Sequence, residues 1–226
     1  KLAPATYLSI QAGKIEETRY WNVPIDINRK LTEKQWTERI RDQLERSIRM
    51  QMVSDVPIGA FLSGGIDSSA VVAYMAKASN APIRTYAIGF EGSDADNFYN
   101  ELPYAKRVAS LFGTDHQEIL VRPDVVELLP RLLWHMDEPI ADTAFITTYL
   151  VSKFARQDAT VILSGVGGDE LFGGYRRYLG DHYLRQFRRF PAWMRRCVTR
   201  LAGALPSDRH SGWLNLFRYA KGFLAS

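Results

Sequence analysis

The chain has 226 residues, 46% of them hydrophobic and 24% charged, with a net charge of +4. That length supports one sizeable core, or one core with fragments of its neighbours. A single cysteine, Cys197, excludes a disulfide framework and any multi-cysteine metal site, and no apolar run reaches the length of a membrane span.

The predicted elements follow in chain order. Lys1-Leu2-Ala3-Pro4 does not begin a signal peptide, so a cytoplasmic protein is the expectation. Residues 5–12 and 15–21 read as two short strands joined around Ala12-Gly13-Lys14. Residues 22–31, interrupted by Pro24 and Asn28, hold no period and read as a linker. Thr32-Glu33-Lys34-Gln35 has the form of a capping box, and Trp36, Ile40, Leu44 and Ile48 then recur every four residues as one apolar stripe. Val56-Pro57 turns the chain extended.

From there strands alternate with helices. A strand at Ile58–Leu62 precedes a helix from about Ser68 to Ala78, and a strand at Thr85–Phe90 precedes a helix from about Glu101 to Phe112. Pro103 near the first turn and Gly113 after the end of that second helix fit the usual capping asymmetry. A strand at His116–Val121, helices near Val125–Met136 and Ala144–Gln157, and a strand at Thr160–Leu163 complete the series. Such alternation predicts an α/β fold, a parallel sheet covered on both faces. Ligands of these sheets bind beyond the carboxyl ends of the strands, which singles out Ser63–Ser69, Gly89–Asn97 and Ser164–Gly174. The basic excess lies in the tail, where residues 176–226 carry 11 of the 29 Lys and Arg and 2 of the 25 Asp and Glu. Arg185, Arg188, Arg189, Arg195, Arg196 and Arg200 read as a solvated helix face or a surface for acidic protein in preference to a nucleic-acid site. Cys197 reads as a half-buried helical thiol. His116 reads as structural, and His135, His182 and His210 have no metal-like partners in sequence.

The stretch Ser63-Gly64-Gly65-Ile66-Asp67-Ser68-Ser69 joins a strand to a helix. Glycines permit positive φ and close approach to a ligand. The helix aims its free amides and positive dipole end at the turn, and Ser63, Ser68 and Ser69 add hydroxyls. The result is an anion cradle suited to a phosphate chain. Asp67 would repel a bare anion, so a cation such as Mg²⁺ is expected between them. The turn is neither the lysine-bearing P-loop nor the GxGxxG fingerprint. The second stretch, VILSGVGGDELFGGY from Val161 to Tyr175, repeats the design. Asp169 could bring a second carboxylate to the same metal, and Glu170 reads either as a functional acid or as a complement to the helix dipole.

SGGIDSS resembles the pyrophosphate-binding loop of the N-type ATP pyrophosphatases. With DVPIGAFLSGGIDSSAVVA, NELPYAKRVASLFGTDHQE, DEPIADTA and LSGVGGDELFGGYRRY, it resembles the synthetase domain of the glutamine-hydrolysing asparagine synthetase family, over about residues 32–180. APATYLSIQAGKIEETRYW resembles the last strands of that family's N-terminal glutaminase domain. The resemblance implies a doubly wound parallel sheet of the adenine nucleotide alpha-hydrolase-like kind, with an incomplete C-terminal helical part. It divides the chain into a glutaminase remnant at 1–25, a linker and leading helix at 26–55, and the synthetase domain at 56–226. A piece of a longer protein is thereby expected, with the family's catalytic lysine falling beyond Ser226.

The resemblance also implies roles. ATP and Mg²⁺ are the implied nucleotide and metal. Ser63, Gly64, Gly65, Asp67, Ser68 and Ser69 would hold the leaving pyrophosphate. Leu62 and Ile88 would meet the adenine, and Ser164 and Gly165 the AMP portion. Asp67 and Asp169 would be the catalytic acids and the Mg²⁺ ligands. Asp142 and Thr143, in DEPIADTA, would meet an amino acid's ammonium and carboxylate. Aspartate or another carboxylate would be adenylated, and ammonia from glutamine would then expel AMP. The implied partners are these small molecules and a glutaminase domain, with room for a homodimer. Val166 departs from the pattern, standing where many members carry an acid, and a valine moves no proton. Three rivals remain: the same adenylation on another acceptor, a tRNA-modifying pyrophosphatase, and a catalytically weak nucleotide-binding module.

Overall fold

The computed structural model describes residues 1–25, 27, 29–91, 100–122, 125–138, 140, 142, 144–204 and 221. The chain divides into two compact units, Lys1–Gln43 and Leu44–Ser226.

In the first unit, β1 (Thr6–Gln11) and β2 (Lys14–Arg19) form an antiparallel hairpin in which Ile10 faces Ile15 and Gln11 faces Lys14. Ala12 and Gly13 make the turn at φ 49° and 79°. Two positive φ values in a two-residue loop match the twist of the flanking strands. The capping box forms as its spacing requires: the Gln35 amide donates to Thr32 Oγ1 at 3.3 Å, and the Thr32 amide donates to Gln35 Oε1 at 2.9 Å. It starts α1 (Glu33–Gln51), whose apolar stripe ends in buried Ile48.

The second unit runs β3 (Ile58–Phe61), α2 (Ile66–Ala78), β4 (Arg84–Phe90), α3 (Leu102–Phe112), β5 (Asp115–Val121), α4 (Val125–His135), α5 (Ala144–Ala155), β6 (Val161–Leu163), α6 (Gly168–Phe172), α7 (Arg176–Phe187) and α8 (Ala192–Ala204). The sheet order is β5-β4-β3-β6, and every pair is parallel. Alternate residues of the strands feed two separate cores. Ala60, Ala87 and Leu163 pack with Val72 and Met75 of α2 and Ala105 and Ala109 of α3. Phe61, Tyr86, Ile88 and Ile162 pack with Val151, Phe154 and Ala155 of α5. Helices on both faces explain why these strands read as continuous apolar runs. The sheet is therefore doubly wound, as the alternation predicts. Gly59 belongs to the second core by its lack of a side chain, since a Cβ there would stand 2.8 Å from the Tyr86 ring.

Side-chain bonds fasten the helices and strand ends. Glu45 accepts from Lys77 at 2.6 Å and Arg49 at 3.0 Å, and the two cations hold its carboxyl below the usual range. His116 is structural: Nδ1 meets Thr85 Oγ1 at 2.9 Å and Nε2 meets Glu118 Oε1 at 3.2 Å. Gly113 closes α3 at φ 61°, donating to Ala109 O. Among the described residues, no helix is long and apolar enough to cross a membrane. Of the tail arginines, Arg185, Arg188, Arg189, Arg196 and Arg200 are exposed, Arg185 pairing with Asp181 at 2.7 Å, whereas Arg195 is half-buried. Cys197 is on a helix but exposed and not half-buried, because its apolar neighbours Trp193, Val198 and Leu201 are themselves exposed.

Among the described residues the Tyr86 hydroxyl is buried without a hydrogen-bond partner, and burial pushes the phenol up. An unpaired buried hydroxyl is costly, and its removal leaves no partner orphaned. Tyr86→Phe is expected to raise stability by about 1 kcal/mol. A higher urea midpoint at unchanged slope would show this, and a lower midpoint would mean that the hydroxyl has a partner.

Candidate functional site

β4 and β5 lie to one side of β3, and β6 lies to the other. The strand order thus reverses between β3 and β6, and a doubly wound sheet opens its crevice at that place. Both glycine-rich turns are there. Ala60 pairs with Leu163, so the residues after Phe61 and after Leu163 leave the sheet side by side.

The first turn is closed by its own hydroxyls. The Gly65 amide donates to Ser63 Oγ at 3.2 Å, and Ser63 Oγ and Ser68 Oγ are 3.0 Å apart. Ser68 Oγ in turn donates to Gly65 O at 3.2 Å and accepts from the Ser63 amide at 3.3 Å. One proton per hydroxyl satisfies the ring when Ser63 donates to Ser68. Both serines therefore shape the loop, and no side chain caps α2. The amides of its first turn stay available to an anion. Among the described residues, Ser69 Oγ is buried without a partner. Gly64 has φ 80°, and a Cβ on it would stand 2.5 Å from Tyr104 Cβ. That glycine is needed for packing on α3 as well as for the turn. Leu62 is buried, and its amide donates to Tyr86 O at 2.9 Å.

The second turn is fitted onto the first. A Cβ on Gly165 would come 2.6 Å from Ser68 N, and one on Gly168 would come 2.5 Å from Asp67 Cγ. Asp67 therefore lies against the backbone of the opposite turn. Asp169 is in the first turn of α6, and its Oδ1 lies against the Cα of Gly174. Gly167 caps α6 at φ 99°, and Ser164 Oγ accepts from the Val166 amide at 3.4 Å. The Val166 side chain is 91% exposed.

The remaining expected residues are placed as follows among the described residues. Ile88 is half-buried on β4, with its side chain in the second core. Asp142 Oδ1 accepts from the Ala144 amide at 2.9 Å and so caps α5. Thr143, and residues 92–97 of the Gly89–Asn97 stretch, lie outside the described residues. Glu170 is more than a complement to the helix dipole: Tyr175 donates its hydroxyl to Glu170 Oε1 at 2.7 Å. That bond holds the Glu170 carboxyl below the usual range and pushes the Tyr175 phenol up. Sequence reasoning missed Tyr175 and Arg177. Their signal is the run Tyr175-Arg176-Arg177-Tyr178, which places two rings three residues apart, on one side of a helix start.

The sequence profile of the family described as asparagine synthase matches residues 39–224. The chain belongs to that family. Asparagine synthetase (glutamine-hydrolyzing) 1 of Bacillus subtilis is 39% identical over 168 residues, which are 74% of this chain and 26% of that protein. Putative asparagine synthetase (glutamine-hydrolyzing) 2 of Methanocaldococcus jannaschii is 39% identical over 184 residues, 80% of this chain and 35% of that protein. Asparagine synthetase (glutamine-hydrolyzing) 3 of Bacillus subtilis is 32% identical over 231 residues, 97% of this chain and 36% of that protein. The chain thus spans about a quarter to a third of the length of the curated relatives it matches.

The interlock makes a steric prediction. Gly165→Ala puts a methyl group into the backbone of α2, where nothing flexible can move away, and is expected to cost about 1–3 kcal/mol. The nearest atoms to a methyl group at Gly168→Ala are those of the Asp67 carboxylate, which can rotate, so its unfolding midpoint should fall less. Thermal unfolding of the two variants checks the order.

Proposed function

We propose that this chain is the synthetase part of a ligase that makes an amide from a carboxylate, ATP and ammonia. The observation that carries the reading is the pair of interlocked glycine turns at the switch point, with Asp67 held between them. The free amides of α2 and the Ser69 hydroxyl suit the pyrophosphate part of ATP. The backbones of Leu62 and Ile88 take the adenine, and Ser164 and Gly165 take the AMP portion.

Mg²⁺ fits the residues present. Among the described residues, no three His, Cys, Asp or Glu side chains gather as a metal site. Two carboxylates, Asp67 and Asp169, are the donor set that suits Mg²⁺, which keeps waters and takes phosphate oxygens as further ligands. When bound, Mg²⁺ neutralises the charge that develops on the leaving pyrophosphate. The orphaned Ser69 hydroxyl and the uncapped helix are the local evidence for an anion beside those acids.

In the proposed reaction an oxygen of the acceptor carboxylate attacks the α-phosphorus, and pyrophosphate leaves. Ammonia then attacks the acyl carbon, and AMP leaves with the carboxylate oxygen it gained. The chain's own work is to orient the nucleotide and hold the leaving group. Aspartate is the proposed acceptor. Asp142 and Thr143 are the residues proposed to meet its ammonium and carboxylate, and with Asp142 Oδ1 engaged by the Ala144 amide, Oδ2 is left for that contact. The hairpin of the first unit is proposed as the remnant of a glutaminase domain that supplies ammonia in the full-length protein. Exposed, apolar Val166 favours a second reading, the same adenylation applied to a different carboxylate.

The test uses the full-length protein with ¹⁸O-labelled aspartate, Mg-ATP and ammonia. Label in AMP together with asparagine is the expected result, and ADP with inorganic phosphate would contradict it. Asp67→Asn is expected to lower kcat/KM by roughly 10²-fold or more. An unchanged value would remove Asp67 from the machinery.

A further inference from the structure

Beyond Gly174 the chain builds a polar cluster that the proposed reaction leaves without a role. The Arg177 guanidinium carbon lies 4.4 Å from the centre of the Tyr175 ring and 5.8 Å from that of Tyr178. The two rings meet edge to face, 5.8 Å apart. Both rings are within cation–π range of the guanidinium. Its N–H groups lie in the plane and remain able to bond. Among the described residues, none of them has a hydrogen-bond or ion-pair acceptor. Glu170 is near enough to feel the arginine's charge, yet it is engaged by the Tyr175 hydroxyl at 2.7 Å.

Local stability does not account for the arrangement. Arg177 is in the first turn of α7, which has no acid, and a cation there opposes the helix dipole. The cluster is also continuous with the interlocked turns. Tyr175 follows directly on Gly174, whose Cα lies against Asp169 Oδ1, and the neighbouring Gly168 lies against Asp67.

We infer that Arg177 is a ligand for a phosphate group of the nucleotide held by the two turns, and that Tyr175 and Tyr178 fix it for that purpose. The inference rests on the amide-forming reading and extends it to a residue outside the glycine turns. A planar fork matches two phosphate oxygens at once, and a fork held beside two rings loses less freedom on binding than a mobile one. Lysine offers a point charge without that geometry. The hydrogen bond from Tyr175 to Glu170 has a second effect, since it keeps the carboxylate from capturing the guanidinium.

Calorimetric titration of the full-length protein with Mg-ATP, beside adenosine read by competition, tests the inference. Arg177→Met is expected to weaken Mg-ATP by roughly tenfold or more and to leave adenosine unchanged. Arg177→Lys should recover only part of the loss. Should Arg177→Met fail to keep the wild-type circular dichroism and unfolding midpoint, Tyr175→Phe replaces it. That variant frees Glu170 to take the guanidinium, so Mg-ATP should weaken, and adding Glu170→Gln should restore it. Unchanged Mg-ATP affinity in folded Arg177→Met, or no restoration in the double variant, overturns the inference. Equal losses for ATP and adenosine overturn it too, because they mark a structural role. If the full-length wild type binds no Mg-ATP, the amide-forming reading fails with it, whereas a wild type that binds normally isolates the fault to Arg177.

Discussion

Two loops must occupy nearly the same space at the carboxyl ends of β3 and β6, and only glycine lets them. A Cβ on Gly165 would run into the backbone of Asp67 and Ser68, and one on Gly168 would run into the Asp67 carboxylate. The parallel pairing of Ala60 with Leu163 brings the strand ends together, and the missing side chains let the turns close over each other. Everything proposed for the site depends on that fit. It holds Asp67 against Gly168, sets Asp169 one residue further on, and leaves the first turn of α2 facing the same crevice.

The rest of the second unit supports those strand ends. Its two cores hold β3 and β6 from both faces, one through α2 and α3, the other through α5. Gly64 presses on the start of α3, so the first turn is backed by a helix as well as shaped by its serine ring. An anion that binds such a preformed loop pays little for ordering it. Past α6, Tyr175 ties back to Glu170, so the second turn is secured at its far end too.

Much of this was legible in the sequence, for identifiable reasons. The strands were clear because a parallel strand buried on both faces reads as an unbroken apolar run. Gly113 and the Thr32–Gln35 box marked helix ends because capping depends on local chemistry alone. The glycine turns stood out as sequence, but their interlock did not, since it depends on strand order. The ring formed by Ser63 and Ser68 was hidden for a related reason: a serine beside a helix start can face a ligand or its own loop, and only geometry decides. The exposure of Cys197 follows from what covers α8, which an apolar spacing does not state. Tyr175 and Glu170 are five residues apart and meet only because Gly173, at φ 68°, turns the chain between them.

The central claim is that the interlocked turns hold ATP for attack at its α-phosphorus by a carboxylate. Exchange of labelled pyrophosphate into ATP, with Mg²⁺ and aspartate and without ammonia, tests it most directly on the full-length protein. The account predicts exchange that requires a carboxylate acceptor and is absent when the acceptor is left out. ATP binding with no exchange across a panel of carboxylates would contradict it.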